Sequence, residues 1–371
     1  MTQRNGRRTT IPLRHRRTTL TRVRHFLDCA RVLKDPAHAL RQVALAALPA
    51  DTGLSPENVA WALDNALEVD ASNTELERLC ARTPTCERAH VLLSANVFVA
   101  ALRAIAIGLA AAPRVFIRPS RREPLMVDLL AQAAPGQFEV VESLEPTAGD
   151  HCWAYGSDST LAKLQRKWPK GILFHGHGSG FGVVVLGPSD LQSTAAIEAL
   201  AGALALDTAA FDQRGCLSPR VILVENSPNR TWLLGQALAQ ALAQREQEIP
   251  IGTLTSEERA DIRQFHDMMC IAGRALPAGN GLVTMETDLL PWALPPAGRV
   301  LHIRTVADAI TDLRPLAHAL TTIAVNPMNS NAAARLEQAF PSARITSVGH
   351  LQRPALDGPV DLRGLSVFAE N

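Results

Sequence analysis

A cysteine that follows a glycine between polar residues, in Asp212-Gln213-Arg214-Gly215-Cys216-Leu217-Ser218-Pro219, is a candidate nucleophile. Gly215 allows close backbone approach to a ligand, and Arg214 adds positive potential that favours a thiolate. Taken alone, Cys216 reads first as a structural thiol, and its spacing does not lift it above that. Asn96 lies where an apolar run gives way to a helical one, so its amide either caps that helix or faces a developing oxyanion. Arg118, Arg121 and Arg122 follow a β-type run, where a nucleotide site meets a ribose; they suit a 2′-phosphate or form a solvated turn. His175 and His177 stand at i and i+2 of a strand-like segment and share one side. With no acid or third histidine near them in sequence, metal ligation is disfavoured and general acid or base work is favoured, one of the pair packing in the core.

The elements that must position these residues are legible as a change of texture. Residues 28–85 repeat apolar positions at helical spacing, interrupted by Pro36, Pro49 and Pro56, and predict a helical region. From residue 90, short β-type runs alternate with helical ones: HVLLSA, VFVAALRAIAIGLAAA, RVFIRPS, EPLMVDLLAQAA, FEVVESL, CWAYG, STLAKLQRKW, GILFH and GFGVVVLG. That alternation predicts a parallel sheet with crossover helices and a nucleotide site at the carboxyl ends of its strands. After Pro188 come a long apolar helix over STAAIEALAGALALDTAAF, the cysteine loop, the strand SPRVILVEN, helices over 231–247 and 256–272, the runs VLHIRTV and ARITSVG, and a loop-rich arm, LQRPALDGPVDLRG. Cys216 is expected at a domain junction rather than inside a strand.

Composition narrows the classes. A chain 47% hydrophobic and 20% charged buries a large core, and its length predicts two domains. Eight arginines fall within the first 24 residues and the first acid is Asp28, so the net charge of +1 describes a basic tail on a mildly acidic body and implies no nucleic-acid partner. The tail lacks an apolar segment of signal-peptide length, shares Arg and Thr content with transit peptides, and is expected to be disordered. No run is expected to span a membrane. Six cysteines without CxxC spacing argue against a disulfide framework and structural zinc, and place free thiols in a reducing, cytoplasmic setting. The expected organisation is a disordered tail over 1–27, a helical region with a nucleotide-binding domain over 28–187, a catalytic domain carrying Cys216 over 188–325, and a C-terminal segment and arm over 326–371.

In this order the segments resemble the aldehyde dehydrogenase superfamily and, within it, the LuxC-type fatty acyl-CoA reductases. ANVFVAALRAIAIGLAAAPRVFIRPSRREP resembles the superfamily's Asn-bearing loop, helix and lysine-serine strand. AYGSDSTLAKLQRKW is similar to its Gly-Ser turn, FHGHGSGFGVVVLGPSD to the reductases' histidine-glycine strand, FDQRGCLSP to their nucleophile motif, and LQRPALDGPVDLRG to their closing segment. Coverage runs from about residue 85 to the end. The sequence departs from the pattern in carrying Arg118 for a familiar lysine, in reading LPPAGRVLHIRTV where a Glu-Phe-Gly-Pro segment is usual, and in ending its arm on VDLRG.

The resemblance implies an α/β fold with a Rossmann-type cofactor domain and an α/β catalytic domain. It implies Cys216 as nucleophile, Asn96 with the Cys216 backbone N–H as oxyanion donors, Gly156 and Ser157 near the cofactor pyrophosphate, and Arg118 and Ser120 near the adenosine ribose. His177 takes the place of a glutamate that activates deacylating water in hydrolytic relatives, which suits an enzyme that keeps its acyl group for hydride attack. His177, or His175, then protonates the leaving thiolate or orients Cys216. Arg121 replaces an acid that accepts ribose hydroxyls in NAD-using relatives, so NADPH is favoured over NADH. The implied activity is reduction of an acyl-CoA or acyl-carrier-protein thioester to an aldehyde, in a homo-oligomer or a complex with an acyl-transfer partner. The alternatives are aldehyde oxidation to acids and a weakly catalytic nucleotide-binding subunit.

Overall fold

The computed structural model describes residues 13–286, 292–328 and 330–363, with side chains from residue 18. Four helices come first: α1 (Leu13–Ala30), α2 (Ala39–Thr52), α3 (Pro56–Asn65) and α4 (Asn73–Arg82). The first corrects the expected tail over 1–27, whose residues 1–12 lie outside the described residues. Val23, Phe26, Leu27 and Ala30 recur at i, i+3, i+4 and i+7 and are fully buried, an apolar stripe that the arginine content obscures. Arg22 itself reaches inward, donating to the carbonyls of Ala112 (2.6 Å) and Gln137 (3.3 Å).

Five parallel strands form the first sheet: β1 (Arg88–Leu92), β2 (Arg114–Arg118), β3 (Glu139–Val140), β4 (His151–Tyr155) and β5 (Leu173–His177). Their order is β3-β2-β1-β4-β5, with α5 (Ala100–Ala111), α6 (Leu125–Ala133) and α7 (Asp158–Lys167) as crossovers. All residues of α5 from Ala101 to Ala111 are buried, as expected of a helix apolar on every side, with α1 and α4 packed against it. Strand order reverses between β1 and β4, which creates a crevice at their carboxyl ends.

The chain leaves this sheet through Gly178–Gly180 and enters a second one, ahead of the boundary expected after residue 187. Its strands are β6 (Phe181–Leu186), β7 (Pro219–Glu225), β8 (Gly273–Ala278), β9 (Gly281–Glu286), β10 (Val300–Val306), β11 (Leu320–Val325) and β12 (Arg344–Ser347). They run β12-β11-β6-β7-β10-β9-β8, parallel except for the β8–β9 hairpin. Helices α8 (Thr194–Ala209), α9 (Pro228–Glu248), α10 (Ser256–Ala272), α11 (Ala309–Leu313) and α12 (Asn331–Ala339) connect them. By length and composition the segment Thr194–Gln213 is apolar enough to cross a membrane. In the fold it is a core helix, packing Ile197, Leu200 and Leu204 with Leu234 and Leu238 of α9.

Candidate active site

Cys216 sits in the loop between α8 and β7, and the backbone leading to it is unusual. Phe211, Asp212 and Gln213 have φ of 55°, 48° and 60°, three successive non-glycine residues in the left-handed region. Such a turn costs roughly 1–2 kcal/mol per residue, so its surroundings must hold it. Asp212 Oδ1 accepts from Arg299 Nη2 (2.7 Å) and Nε (3.0 Å), and Oδ2 accepts from the Gly252 N–H (3.0 Å). The Asn58 amide donates to Ala209 O (2.9 Å) and accepts from Phe211 N (3.1 Å). Gln213 donates to the carbonyls of Pro219 (2.8 Å) and Val300 (2.9 Å) and accepts from Val300 N (2.6 Å). Phe211 packs edge-on between Trp61 and Phe98.

Arg214 does not supply the positive potential expected beside the thiol. Its guanidinium pairs with Glu258 (3.2 Å) and donates to the carbonyls of Thr52 (2.9 Å) and Thr253 (2.8 Å), tying the loop to the helical N-terminal region. Burial instead pushes the Cys216 thiol up to about 11, with Asp361 acting in the same direction and Arg363 and the residue's own N–H opposing. Cys216 at rest is therefore a thiol.

Next to the Cys216 loop runs the start of β6, reached from β5 through Gly178–Gly180. The Thr321 hydroxyl joins the carbonyls of Phe181 and Cys216, and Gly182 N donates to Ser218 O (2.9 Å). A Cβ on Gly182 would stand 2.5 Å from Leu217 O, so only glycine lets the strand pass this close to the cysteine loop. His177 stacks on Tyr155 (centroids 4.6 Å, 15°), its Nδ1 lies 4.0 Å from Asp361 Oδ2, and both ring nitrogens are buried without a hydrogen-bond partner. Burial, reinforced by Arg363 and opposed by Asp361, lowers it to about 4. His175 shares the face of β5 but not the company. It lies flat on Trp153 (4.3 Å, 4°), and its Nε2 is 2.9 Å from His151 Nδ1, so it belongs to a buried aromatic stack.

Asp361 and Arg363 are residues that the sequence did not single out. Arg363 Nε and Nη2 grip the two Asp361 oxygens at 2.8 and 2.6 Å, and the same guanidinium donates to the carbonyls of Ser179 (2.8 Å), His318 (3.1 Å) and Gly178 (3.3 Å). The only trace in sequence is the VDLRG ending of the arm, more than 140 positions from Cys216.

The remaining candidates lie at the carboxyl ends of β1, β2 and β4, around the reversal of strand order. Asn96 is exposed in the loop after β1. It does not cap the following helix, whose N-cap is Val99 without a side-chain bond. Its Oδ1 accepts from Arg122 Nη2 (3.0 Å), which leaves the N–H₂ as the donor group. The neighbouring Val97 reaches the cysteine loop, its Cγ2 3.0 Å from where a Cβ on Gly215 would be. Arg118 ends β2, Ser120 accepts from Arg122 N (3.2 Å), and Arg121 is exposed. Glu123, the nearest acid, is turned inward, where Oε1 accepts from Met126 N (2.7 Å), and burial pushes it up to about 7. The tip of β2 thus presents cations and a hydroxyl. Ser157 caps α7 by accepting from Thr160 N (3.3 Å), and Gly156 precedes it, so a helix N-terminus opens onto the crevice. This donor set fits a dinucleotide with phosphate groups.

Two sheets of this topology, joined beside a cysteine loop, define the aldehyde dehydrogenase fold. Similar solved structures include an oxidoreductase from Marinobacter aquaeolei (TM-score 0.67, 13% identity, 92% of this chain and 83% of that one). They also include an NADP-dependent glyceraldehyde-3-phosphate dehydrogenase from Bacillus halodurans C-125 complexed with NADP (0.65, 13%, 95% and 84%). A third is a gamma-glutamyl-gamma-aminobutyraldehyde dehydrogenase from Burkholderia cenocepacia J2315 (0.65, 15%, 89% and 76%). A search of curated protein sequences gives no match. The family model described as acyl-CoA reductase (LuxC) matches residues 31–366, and the chain belongs to that family. It is an oxidoreductase acting on aldehyde or acyl groups.

Proposed function

We propose that the protein reduces an acyl-CoA or acyl-carrier-protein thioester to an aldehyde through an acyl-enzyme on Cys216, with NADPH as the reductant. The observation that carries this reading is the meeting of three loops: the Cys216 loop lies against the Asn96 loop on one side and the His177–Gly182 segment on the other. Cys216 attacks the thioester carbonyl. Asn96 Nδ2 and the Cys216 backbone N–H hold the oxyanion. His177, a neutral imidazole at pH 7, takes the thiol proton and returns it to the departing carrier thiolate. Reduced nicotinamide, when bound, supplies the hydride that turns the acyl group into an aldehyde. Intact-mass analysis after exposure to a panel of acyl-CoAs tests the reading; a mass increase equal to the acyl group is expected, and no adduct from any thioester would overturn it.

Asn96→Ala is expected to lower turnover ~100-fold or more, the usual loss for one oxyanion donor. Activity within twofold of wild type would reject that role. Cofactor preference rests on Arg118, Ser120 and Arg121 at the tip of β2, with Gly156 and Ser157 at the α7 N-terminus for the pyrophosphate. Removing one charge-assisted phosphate contact costs about 1.5–3 kcal/mol, so Arg121→Asp should lower kcat/KM for NADPH roughly 10- to 150-fold and leave NADH nearly unaffected. Wild-type enzyme equally efficient with both cofactors would refute the preference. One observation favours a second reading: a neutral buried imidazole is also a base for water, so free acid formed from aldehyde without CoA would assign aldehyde oxidation instead.

A further inference from the structure

We propose that Asp361 is a positioning residue for proton transfer, completing with Cys216 and His177 a nucleophile, base and orienter set that the C-terminal segment delivers to the site. The inference rests on the reading of Cys216 as the nucleophile. Its starting point is an anomaly: both nitrogens of a buried imidazole lack a partner, whereas His175, two residues earlier on the same strand, meets His151 at 2.9 Å. Buried polar atoms are nearly always hydrogen-bonded, and those that are not call for an explanation such as a catalytic role.

Geometry supplies one. Asp361 Oδ2 stands 4.0 Å from His177 Nδ1, close enough to steady a positive charge that forms on the ring and to close to a hydrogen bond once substrate fills the site. The carboxylate cannot swing away, because Arg363 holds both of its oxygens and is itself bound to Gly178, Ser179 and His318 carbonyls. A Cβ on Gly180 would meet Arg363 Nη2 at 2.9 Å and Thr321 Cγ2 at 2.6 Å, so the glycine-rich crossing from β5 to β6 is shaped to receive the arm. Tyr155 lies flat on His177, and the charges of both Cys216 and Asp361 bear on its hydroxyl. The groups that bear on His177 are Tyr155 of β4, His175 of its own strand, and Asp361 and Arg363 of the arm; the Arg363 guanidinium in turn feels Cys216 of the loop and Asp158 at the start of α7, which accepts from Ser179 N.

In the acylation step the Cys216 Sγ–H proton moves to His177 Nε2 as the Sγ–C bond to the thioester carbonyl forms. The imidazolium, facing Asp361 through Nδ1–H, then gives that proton to the carrier sulfur as its bond to carbon breaks. His177 ends neutral and no redox partner is consumed. In the resting protein burial keeps the thiol protonated and the imidazole neutral.

The pH dependence of acylation in the unmodified protein gives a test that needs no variant. Transfer to a base lowered to about 4 from a thiol raised to about 11 predicts a rate nearly flat from pH 5 to pH 9. A rate that climbs about tenfold per pH unit across that range would overturn the inference in favour of a free thiolate. Asp361→Asn should slow acylation roughly 10- to 100-fold, with the KM for the thioester within about threefold. The same substitution should speed iodoacetamide alkylation of Cys216 at pH 8 several-fold, since the carboxylate raises the thiol. Opposite signs on one thiol are not what a loosened fold produces. Asp361→Glu should recover part of the acylation rate, and in a His177→Gln background Asp361→Asn should add no further loss. Equal losses in both backgrounds, or acylation unchanged by Asp361→Asn, would overturn the role of Asp361 while leaving the acyl-enzyme intact. Absence of any adduct in wild type would instead remove the proposed function, while the alkylation comparison still reports the coupling.

Discussion

Replacing Cys216 with alanine is expected to abolish the acyl adduct and to lower thioester reduction by about 10⁴-fold or more, the scale on which covalent catalysis fails when its nucleophile is lost. The protein should keep its fold. The shape of the loop is set by Asp212, Gln213 and Asn58 rather than by the sulfur, and Cys216 is held through its carbonyl by Thr321. Removing the Cys216 sulfur should therefore cost about 1 kcal/mol at most on the scale of one buried methylene. Intact mass after acyl-CoA exposure, aldehyde production and a urea midpoint measured on the same preparation check all three statements. Reduction within tenfold of wild type, or an adduct of unchanged yield, would show that acyl transfer runs elsewhere. Arg214 does not act on the thiol, because its charge is spent on Glu258 and two carbonyls.

Arg214 marks the line between what is legible in the sequence and what is not. Periodicity placed α9 and α10 and the strands through Val300–Val306, because a buried parallel sheet needs apolar β-type runs and its crossovers need helical ones. The β8–β9 hairpin escaped, since β8 carries a glycine and a proline and is half-exposed at a sheet edge. Ordered motifs, not local chemistry, pointed to Cys216, Asn96 and His177. Sequence could not say which way a side chain turns: Arg214 sits two positions from the cysteine yet points to the helical N-terminal region, while Asp361 and Arg363, far away in the chain, reach the thiol's surroundings. Nor could it separate His175 from His177, because the i, i+2 spacing gives both the same face and only the neighbours from β4 and the arm differ. The arginines of α1 read as a tail because charge is counted over a window, whereas burial is decided on one helical stripe.

Asp212→Ala should be the most destabilising single change near the site, lowering the free energy of unfolding by about 3–5 kcal/mol, because it strands a buried guanidinium without its partner. Arg299 and Asp212 are 1% and 0% exposed, and the carboxylate also satisfies the Gly252 N–H and the Asn58 amide. The loss should appear as a lower urea midpoint with an unchanged slope. A second protein separates stability from positioning. In Asp212→Leu with Arg299→Met the buried charges vanish together, and such apolar replacements are often neutral or stabilising, so most of the midpoint should return. Acylation of Cys216 should not return. Leucine cannot accept from Gly252 and Asn58, and without those bonds the left-handed conformations of Phe211, Asp212 and Gln213 lose the contacts that offset their backbone cost. Recovery of midpoint and acylation together would mean that the ion pair serves folding alone. Recovery of the midpoint with acylation still depressed would mean that the strained turn, held by a charge pair 87 positions apart in sequence, aims the nucleophile at its substrate.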